Sequence, residues 1–259
     1  MQELFTAWLG WPVFAIFASL AAFYFGVAGL VVWLSFRSRL SVRIQTFKGV
    51  VAPFFGSTAI IFGMLVAFLS NDIWERNRQA ERTVFIESDT LIALYSLSAA
   101  SGSDNPTLRS AIRGYVSAVV EDEWPRLAIE QRSAKADAAL NLLLREVALP
   151  ANAKDVSVQR TMLDMALRVR TAHEDRIAIS SDRTVVTKWA AVLLLALITQ
   201  IAIAVVHLEK PRPQLAALGI FTSAVVLLLG LLAIHEAPFE PPVFVPPGPI
   251  IEVLRLVPA

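Results

Sequence analysis

The residues of this sequence best suited to chemistry are acids that fall on helical seams. Glu87 lies in a four-three series with Ile73, Asn77, Ala80, Val84, Leu91, Leu94 and Ser98, and Glu123 completes an i, i+4, i+8 set with Tyr115 and Val119. A carboxylate on a packed face needs a partner, because an isolated buried charge is costly. Arg170 and Arg176, on a later helical stretch, are the expected partners. Glu87, Glu123, Arg170 and Arg176 therefore make a candidate ion-pair network, either structural or serving ion binding or gating. Glu121, Asp122 and Glu123 do not make a cation site by themselves. Successive helical residues point about 100° apart, so the expectation is a solvated pair with Glu123 turned inward.

Other catalytic chemistry is not visible. The three histidines, His173, His207 and His235, show no metal-ligand spacing, and His207 and His235 close apolar runs. There is no Gly-rich phosphate loop and no nucleophile elbow. Cysteine is absent, which removes thiol catalysis and thiolate metal sites. No enzyme, metal or cofactor is expected. Nor is a nucleic-acid partner: between Asn71 and Thr184 lie 15 of the 23 Lys/Arg and 17 of the 22 Asp/Glu, a mixture without basic excess.

Four apolar runs must position these residues: Trp11–Leu34, Val50–Leu69, Trp189–Leu208 and Leu215–Ile234. Each has about the 20 residues a helix needs to cross a hydrocarbon core of ~30 Å. The first is read as a retained membrane helix, since MQELFTAWLGW lacks a basic region ahead of it. The fold class is thus an all-α membrane protein. Four transmembrane helices carry a helical extramembrane insert between the second and third, and long helices continue across the membrane boundary. The divisions are 1–70 (helices one and two), 71–184 (insert), 185–236 (helices three and four) and 237–259 (a Pro-rich apolar tail). Short loops hold Arg37, Arg39, Arg43, Lys48, Lys210 and Arg212. By the positive-inside rule this puts the loops in the cytoplasm and the insert outside.

Small residues recur four apart in the first run (Ala18, Ala22, Gly26) and in the second (Ala59, Gly63, Ala67). Such stripes let helices approach closely in lipid, either inside the four-helix bundle or at a subunit interface or pore. Run two opens with Pro53 and carries Ser57 and Thr58, and run three carries Thr199 and Gln200. Polar side chains at these positions favour a protein or water neighbour. No charge lies deep in a run, which argues against an ion-coupled transporter.

In the insert, a helix runs unbroken from Asn71 to Ser98, and a turn is expected at Ser101–Pro106. Further helices follow at Thr107–Trp124, ended or kinked by Pro125, and at Ala134–Val147, closed by Pro150. The last starts near Asp155 and is expected to run straight into run three through Val169, His173, Arg176 and Ser180. The tail holds half of the 14 prolines, interleaved with apolar residues. It cannot be helical through its first half and is expected to lie extended against the protein or the membrane interface.

Three stretches resemble the bestrophin-like family of bacterial and plant membrane proteins. They are GMLVAFLSNDIWERNRQAERTVFIESDTLIALYSLS from Gly63, RGYVSAVVEDEWPRL from Arg113, and HEDRIAISSDRTVVTKWAAVLLLALITQIAIAVVHL from His173. Glu87, Tyr115, Glu123, Trp124, Pro125 and Arg176 fall on the family's pattern, and the Glu-Trp-Pro element is its more specific part. The resemblance covers roughly residues 50–240. It departs at HEAPFEPP, where the family tends to show an acid, Pro-Phe and then Gly.

The resemblance implies a bestrophin-related architecture and, more distantly, an oligomeric anion-conducting channel with an apolar constriction. It would make run two the pore lining, with Ser57, Thr58, Phe62 and Phe68 as candidates and Phe62 and Phe68 at the neck. It also implies a homo-oligomer in a lipid bilayer, small anions as partners, and the bacterial inner membrane as location. Bestrophins keep their extramembrane part in the cytoplasm, opposite to the loop-charge count. The alternative is a non-conducting, membrane-anchored helical sensor or scaffold that recruits a partner through insert and tail.

Overall fold

In the computed structural model, residues 2–49, 52–100, 106–148 and 156–257 are described. The expected turn at Ser101–Pro106 falls almost wholly outside these residues, as do Pro150 and Asp155. The elements are α1 (Gln2–Leu9), α2 (Val13–Phe36), α3 (Ser41–Ile44), α4 (Ala52–Ala100), α5 (Pro106–Ala118), α6 (Trp124–Leu127), α7 (Ala134–Ala148), α8 (Val156–Ser181), α9 (Val186–Val206), α10 (Pro211–Ile234) and α11 (Gly248–Leu256). A π-helical turn, Val119–Glu123, joins α5 to α6. No strand occurs among the described residues.

The chain divides into two compact units. The first comprises residues 1–74 and 183–236 and contains the helices long and apolar enough to cross a membrane: α2, the first part of α4, α9 and α10. This is an integral membrane protein. Ile16, Leu20, Tyr24 and Ala28 of α2 turn inward at four-residue spacing, as do Phe62, Val66, Leu69 and Ile73 of α4. Trp189, Val192 and Ala196 of α9 and Val225, Leu229 and Leu232 of α10 are buried too.

Polar groups within this unit are bonded mostly to backbone. Gln200 Nε2 donates to Tyr24 O (3.0 Å) and to Thr222 Oγ1 (2.7 Å), and Thr199 Oγ1 donates to Leu195 O (2.7 Å) within its own helix. The Gln200 bonds are the helix–helix bonds expected of polar side chains in lipid.

The small-residue stripes do not make the close approaches inside this unit. Ala18, Ala22 and Gly26 are exposed, offset two positions, or about 200°, from the buried line of α2. Gly63 and Ala67 are exposed and Ala59 half-buried, about 100° from the buried line of α4. The tight contact is elsewhere: a Cβ on Gly230 of α10 would run into the Phe17 ring of α2. Gly230→Ala is expected to displace the Phe17 ring and cost about 1 kcal/mol. The midpoint of thermal unfolding in detergent measures this.

The second unit comprises residues 75–182 and 237–259. Its core joins Ala80, Val84, Leu91 and Leu94 of α4 to Ile112, Tyr115 and Val116 of α5, Leu140 and Leu143 of α7, and Ala166 and Val169 of α8. The π turn stands just ahead of Pro125, whose ring would clash with the carbonyl of residue 121 in a regular helix. The widened turn accommodates it, so the chain continues helically through Pro125.

Two elements differ from expectation. α4 runs without a break from its apolar stretch into its charged one, but α8 and α9 are separated by Asp182–Val185. In the first unit the Thr184 N–H donates to Glu236 Oε1 (2.7 Å) rather than to a carbonyl one turn back. Trp189 Nε1 donates to the other oxygen of Glu236 (3.1 Å). Glu236, the acid of HEAPFEPP, is thus a buried anchor for the start of α9.

The second difference is in the tail. Its first half is non-helical, as its prolines require, but Gly248–Leu256 forms α11 with Pro at the helix start, where a missing N–H costs nothing. Phe239, Val245, Ile250, Val253 and Val257 are buried in the second unit's core. Ser88 Oγ donates to Pro249 O (2.6 Å), and Arg113 Nη1 donates to Leu254 O (3.0 Å) and Val257 O (2.6 Å).

Candidate functional site

Two features carry the candidate chemistry: a buried charge cluster in the second unit and an uncovered stretch of α4 in the first. In the cluster, α4 contributes Glu87, α5 Tyr115, the π turn Glu123, and α8 His173 and Arg176. All five are wholly buried. Arg176 spans the two acids, Nη1 donating to Glu87 and Nη2 to Glu123. The Tyr115 hydroxyl donates to Glu87. Trp124 packs its ring 5.2 Å from the Arg176 guanidinium, a cation–π contact on the face left free by the in-plane hydrogen bonds.

His173 closes the cluster. Its Nδ1 lies 3.1 Å from the Tyr115 hydroxyl and 3.2 Å from Arg176 Nη2, and its Nε2 lies 3.3 Å from Asp137 Oδ1. Asp137 is bound in turn by Arg132 (2.9 Å), which also binds Glu174.

Burial pushes the Tyr115 hydroxyl far above its ordinary range, with the neighbouring Glu87 carboxylate acting the same way. Burial also raises the Glu123 carboxyl, and the Arg176 charge offsets only part of that. For Arg176, burial opposes the charge, but the neighbouring acids, Glu87 first and then Glu123, outweigh it and hold the guanidinium ionised. Burial would raise Asp137, yet hydrogen bonds from Arg132 and His173 keep it below the usual carboxylate range. An arginine shared by two buried acids is a strong positioning element that ties α4, the π turn and α8 together.

Of the acids and arginines singled out by the sequence, the structure brings together Glu87, Glu123 and Arg176. Arg170 does not join them. It is exposed on α8, six residues from Arg176, a separation that puts it about 120° away around the helix. His173 and Asp137 were not part of the expected network. The signal for His173 was present, since it stands four residues after Val169 and three before Arg176 on the buried face of α8. Asp137 carried no such signal, because its partners come from the preceding loop and from α8. Among the described residues no group of acids and histidines is arranged to hold a metal ion.

In the first unit, Ser57, Ile61, Met64 and Phe68 lie along one side of α4. Ile61, Met64 and Phe68 are 57%, 56% and 63% exposed, and Ser57 is exposed as well. Thr58 is half-buried, and its hydroxyl donates to Phe55 O (2.9 Å) in the same helix. Phe62 must be separated from Phe68. It is 8% exposed, packed inside its own chain with its ring 5.8 Å from that of Phe221 on α10. Six residues of α-helix turn through about 600°, so Phe62 and Phe68 point about 120° apart and cannot share one neck.

By sequence profile, the bestrophin-like domain matches residues 22–250. Solved structures similar in fold include a bestrophin homologue from Klebsiella pneumoniae with a leucine-to-threonine substitution (TM-score 0.68, 13% identity, covering 90% of this chain and 97% of that one). A second structure of the Klebsiella pneumoniae homologue aligns with TM-score 0.67 at 11% identity, over 95% of this chain and 97% of that one. A membrane protein with a proline-to-alanine substitution aligns with TM-score 0.70 at 11% identity, over 93% and 97%. A comparison with curated proteins gave no match. With the profile spanning most of the sequence and the Glu-Trp-Pro turn built into a buried arginine-centred cluster, this chain belongs to the bestrophin-like family.

Proposed function

We propose that this chain is a homo-oligomeric anion channel of the bacterial inner membrane, its pore lined by the uncovered side of α4. The observation that carries the reading is the line Ser57, Ile61, Met64 and Phe68, which its own chain leaves uncovered in the membrane-crossing part of a helix. One hydroxyl followed by three large apolar side chains makes, when several copies face a common axis, a dehydrating constriction without fixed charge. The outward-facing Ala18, Ala22, Gly26, Gly63 and Ala67 support close approach of neighbouring copies or lipid at the same level. Family membership supports the channel class and the preference for anions.

Ser57 and Phe68 are the pore-lining residues of this reading. Phe62 supports α4 from inside the subunit, and Thr58 is satisfied within its helix. Glu87, Glu123 and Arg176 fix the extramembrane part of the same helix, where a gating movement would have to break or tilt the cluster. In planar bilayers with a chloride gradient, the reversal potential is expected near the chloride equilibrium value. A reversal potential following the cation gradient would refute anion selectivity.

The scaffold reading is less well supported. The apolar tail that it needs for recruitment is packed into its own chain through Phe239, Val245, Ile250, Val253 and Val257.

A further inference from the structure

The buried cluster of the second unit holds more acid than base. Glu87 and Glu123 face a single buried guanidinium, that of Arg176, and His173 Nδ1 stands 3.5 Å from Glu123 Oε1. With His173 neutral, both carboxylates ionised would leave one uncompensated negative charge in a buried site, a costly arrangement. A proton must therefore be held somewhere in the cluster, and hydrogen-bond directions narrow down where.

Tyr115 keeps its own proton and donates it to Glu87. Glu87 thereby receives two donors, Tyr115 and Arg176, one on each oxygen, which is what a carboxylate accepts when ionised. His173 needs no second ring proton to satisfy its partners: Nε2–H can donate to Asp137 while Nδ1 accepts from Arg176 Nη2. Asp137 is an ionised acceptor already bound by Arg132, and Glu174 pairs with the same arginine. From α6, Trp124 presents only its ring to Arg176. That leaves Glu123. Its Oε1 accepts from Arg176, while Oε2 is buried with no hydrogen-bond partner. A bare ionised oxygen is worse there than a protonated one, because desolvation penalises the charged form most.

We propose that Glu123 is a proton-binding site: the folded protein holds one proton on its carboxyl at pH values where an exposed glutamate is ionised, and that proton neutralises the Glu87–Arg176–Glu123 group. The upward shift that burial imposes on Glu123 agrees in direction. The sign of the linkage follows. A carboxyl that binds its proton more tightly when folded adds stability that is fully present below the ordinary glutamate pKa. That stability is lost as pH rises through the raised folded value. Deprotonation places the uncompensated charge on the π turn Val119–Glu123, the least regular helical segment around the cluster. The inference stands apart from conduction and does not depend on it.

The test is infrared difference spectroscopy of the whole protein in detergent across a pH titration, reading the carbonyl stretch of a protonated carboxylic acid. Wild type is expected to keep such a band above the ordinary carboxylate range and to lose it at higher pH. Glu123→Gln is expected to lack it. Glu87→Gln is expected to lose the band at lower pH than wild type, because Arg176 then compensates Glu123 alone; this variant carries the test if Glu123→Gln does not fold. No band above the ordinary range in wild type would overturn the proposal, and so would a band that persists in Glu123→Gln or one that does not move in Glu87→Gln. A proton held by His173 would give the first of these results.

Discussion

Arg176→Met is expected to destabilise the extramembrane unit by about 3–5 kcal/mol, the general cost of removing one partner from a buried ion pair. Methionine fills much of the volume and keeps apolar contact with Trp124, so the loss isolates the charge and its donors. Glu87 and Glu123 would then stay buried with no cation between them. Arg176→Lys recovers only part, because one ammonium cannot offer the two-pronged fork that bridges α4 and the π turn. Trp124 is the sole tryptophan of residues 75–182 and 237–259 and touches the Arg176 guanidinium, so its emission reports urea unfolding of this unit. A midpoint unchanged from wild type would show that the cluster contributes little to the fold.

Phe62→Ala and Phe68→Ala are expected to differ in kind although both delete the same ring from the same helix. Phe62 is packed against Phe221, and its removal leaves a cavity. In lipid the transfer component largely drops out, because unfolded helices already sit among apolar chains, so the cavity component remains, about 2 kcal/mol. Phe68 faces away from its own chain, and its loss should leave stability within ~0.5 kcal/mol of wild type. On the proposed channel reading its effect belongs to conduction: a smaller side chain on the uncovered line is expected to widen the constriction and raise chloride flux. Thermal unfolding and flux measured on the same preparations separate the two roles. Equal stability loss in both variants would mean that the faces of α4 are assigned wrongly.

The contrast between these phenylalanines shows what the sequence could convey. In the charged part of α4 the seam from Ile73 to Ser98 was legible because polar and apolar residues alternate at helical spacing, and all but the half-buried Asn77 are buried in the structure. In the apolar part every face is greasy, so periodicity no longer distinguishes a bundle face from a lipid or pore face. Phe62 and Phe68 therefore look alike in the sequence, and the small-residue stripes fit a bundle contact and an interface equally well. The same limit hid Gly230, whose role depends on a ring from another helix.

The break between α8 and α9 was also not readable. No Pro or Gly marks a stop in Ser181–Val186, and the partner that takes the Thr184 N–H in place of a helical carbonyl is Glu236, about fifty residues away. Arg176 and Arg170 both lie on a charged helix, and only the packing against α4 and the π turn selects one of them. No ligand spacing surrounds His173, yet its neighbours Val169 and Arg176 mark that face of α8 as buried.

Chloride efflux from liposomes containing the purified full-length protein tests the channel reading at its root. Efflux well above protein-free liposomes, raised further by Phe68→Ala, is the expected result. No efflux from folded wild-type protein under any ionic condition, together with a monomer in detergent, would contradict it.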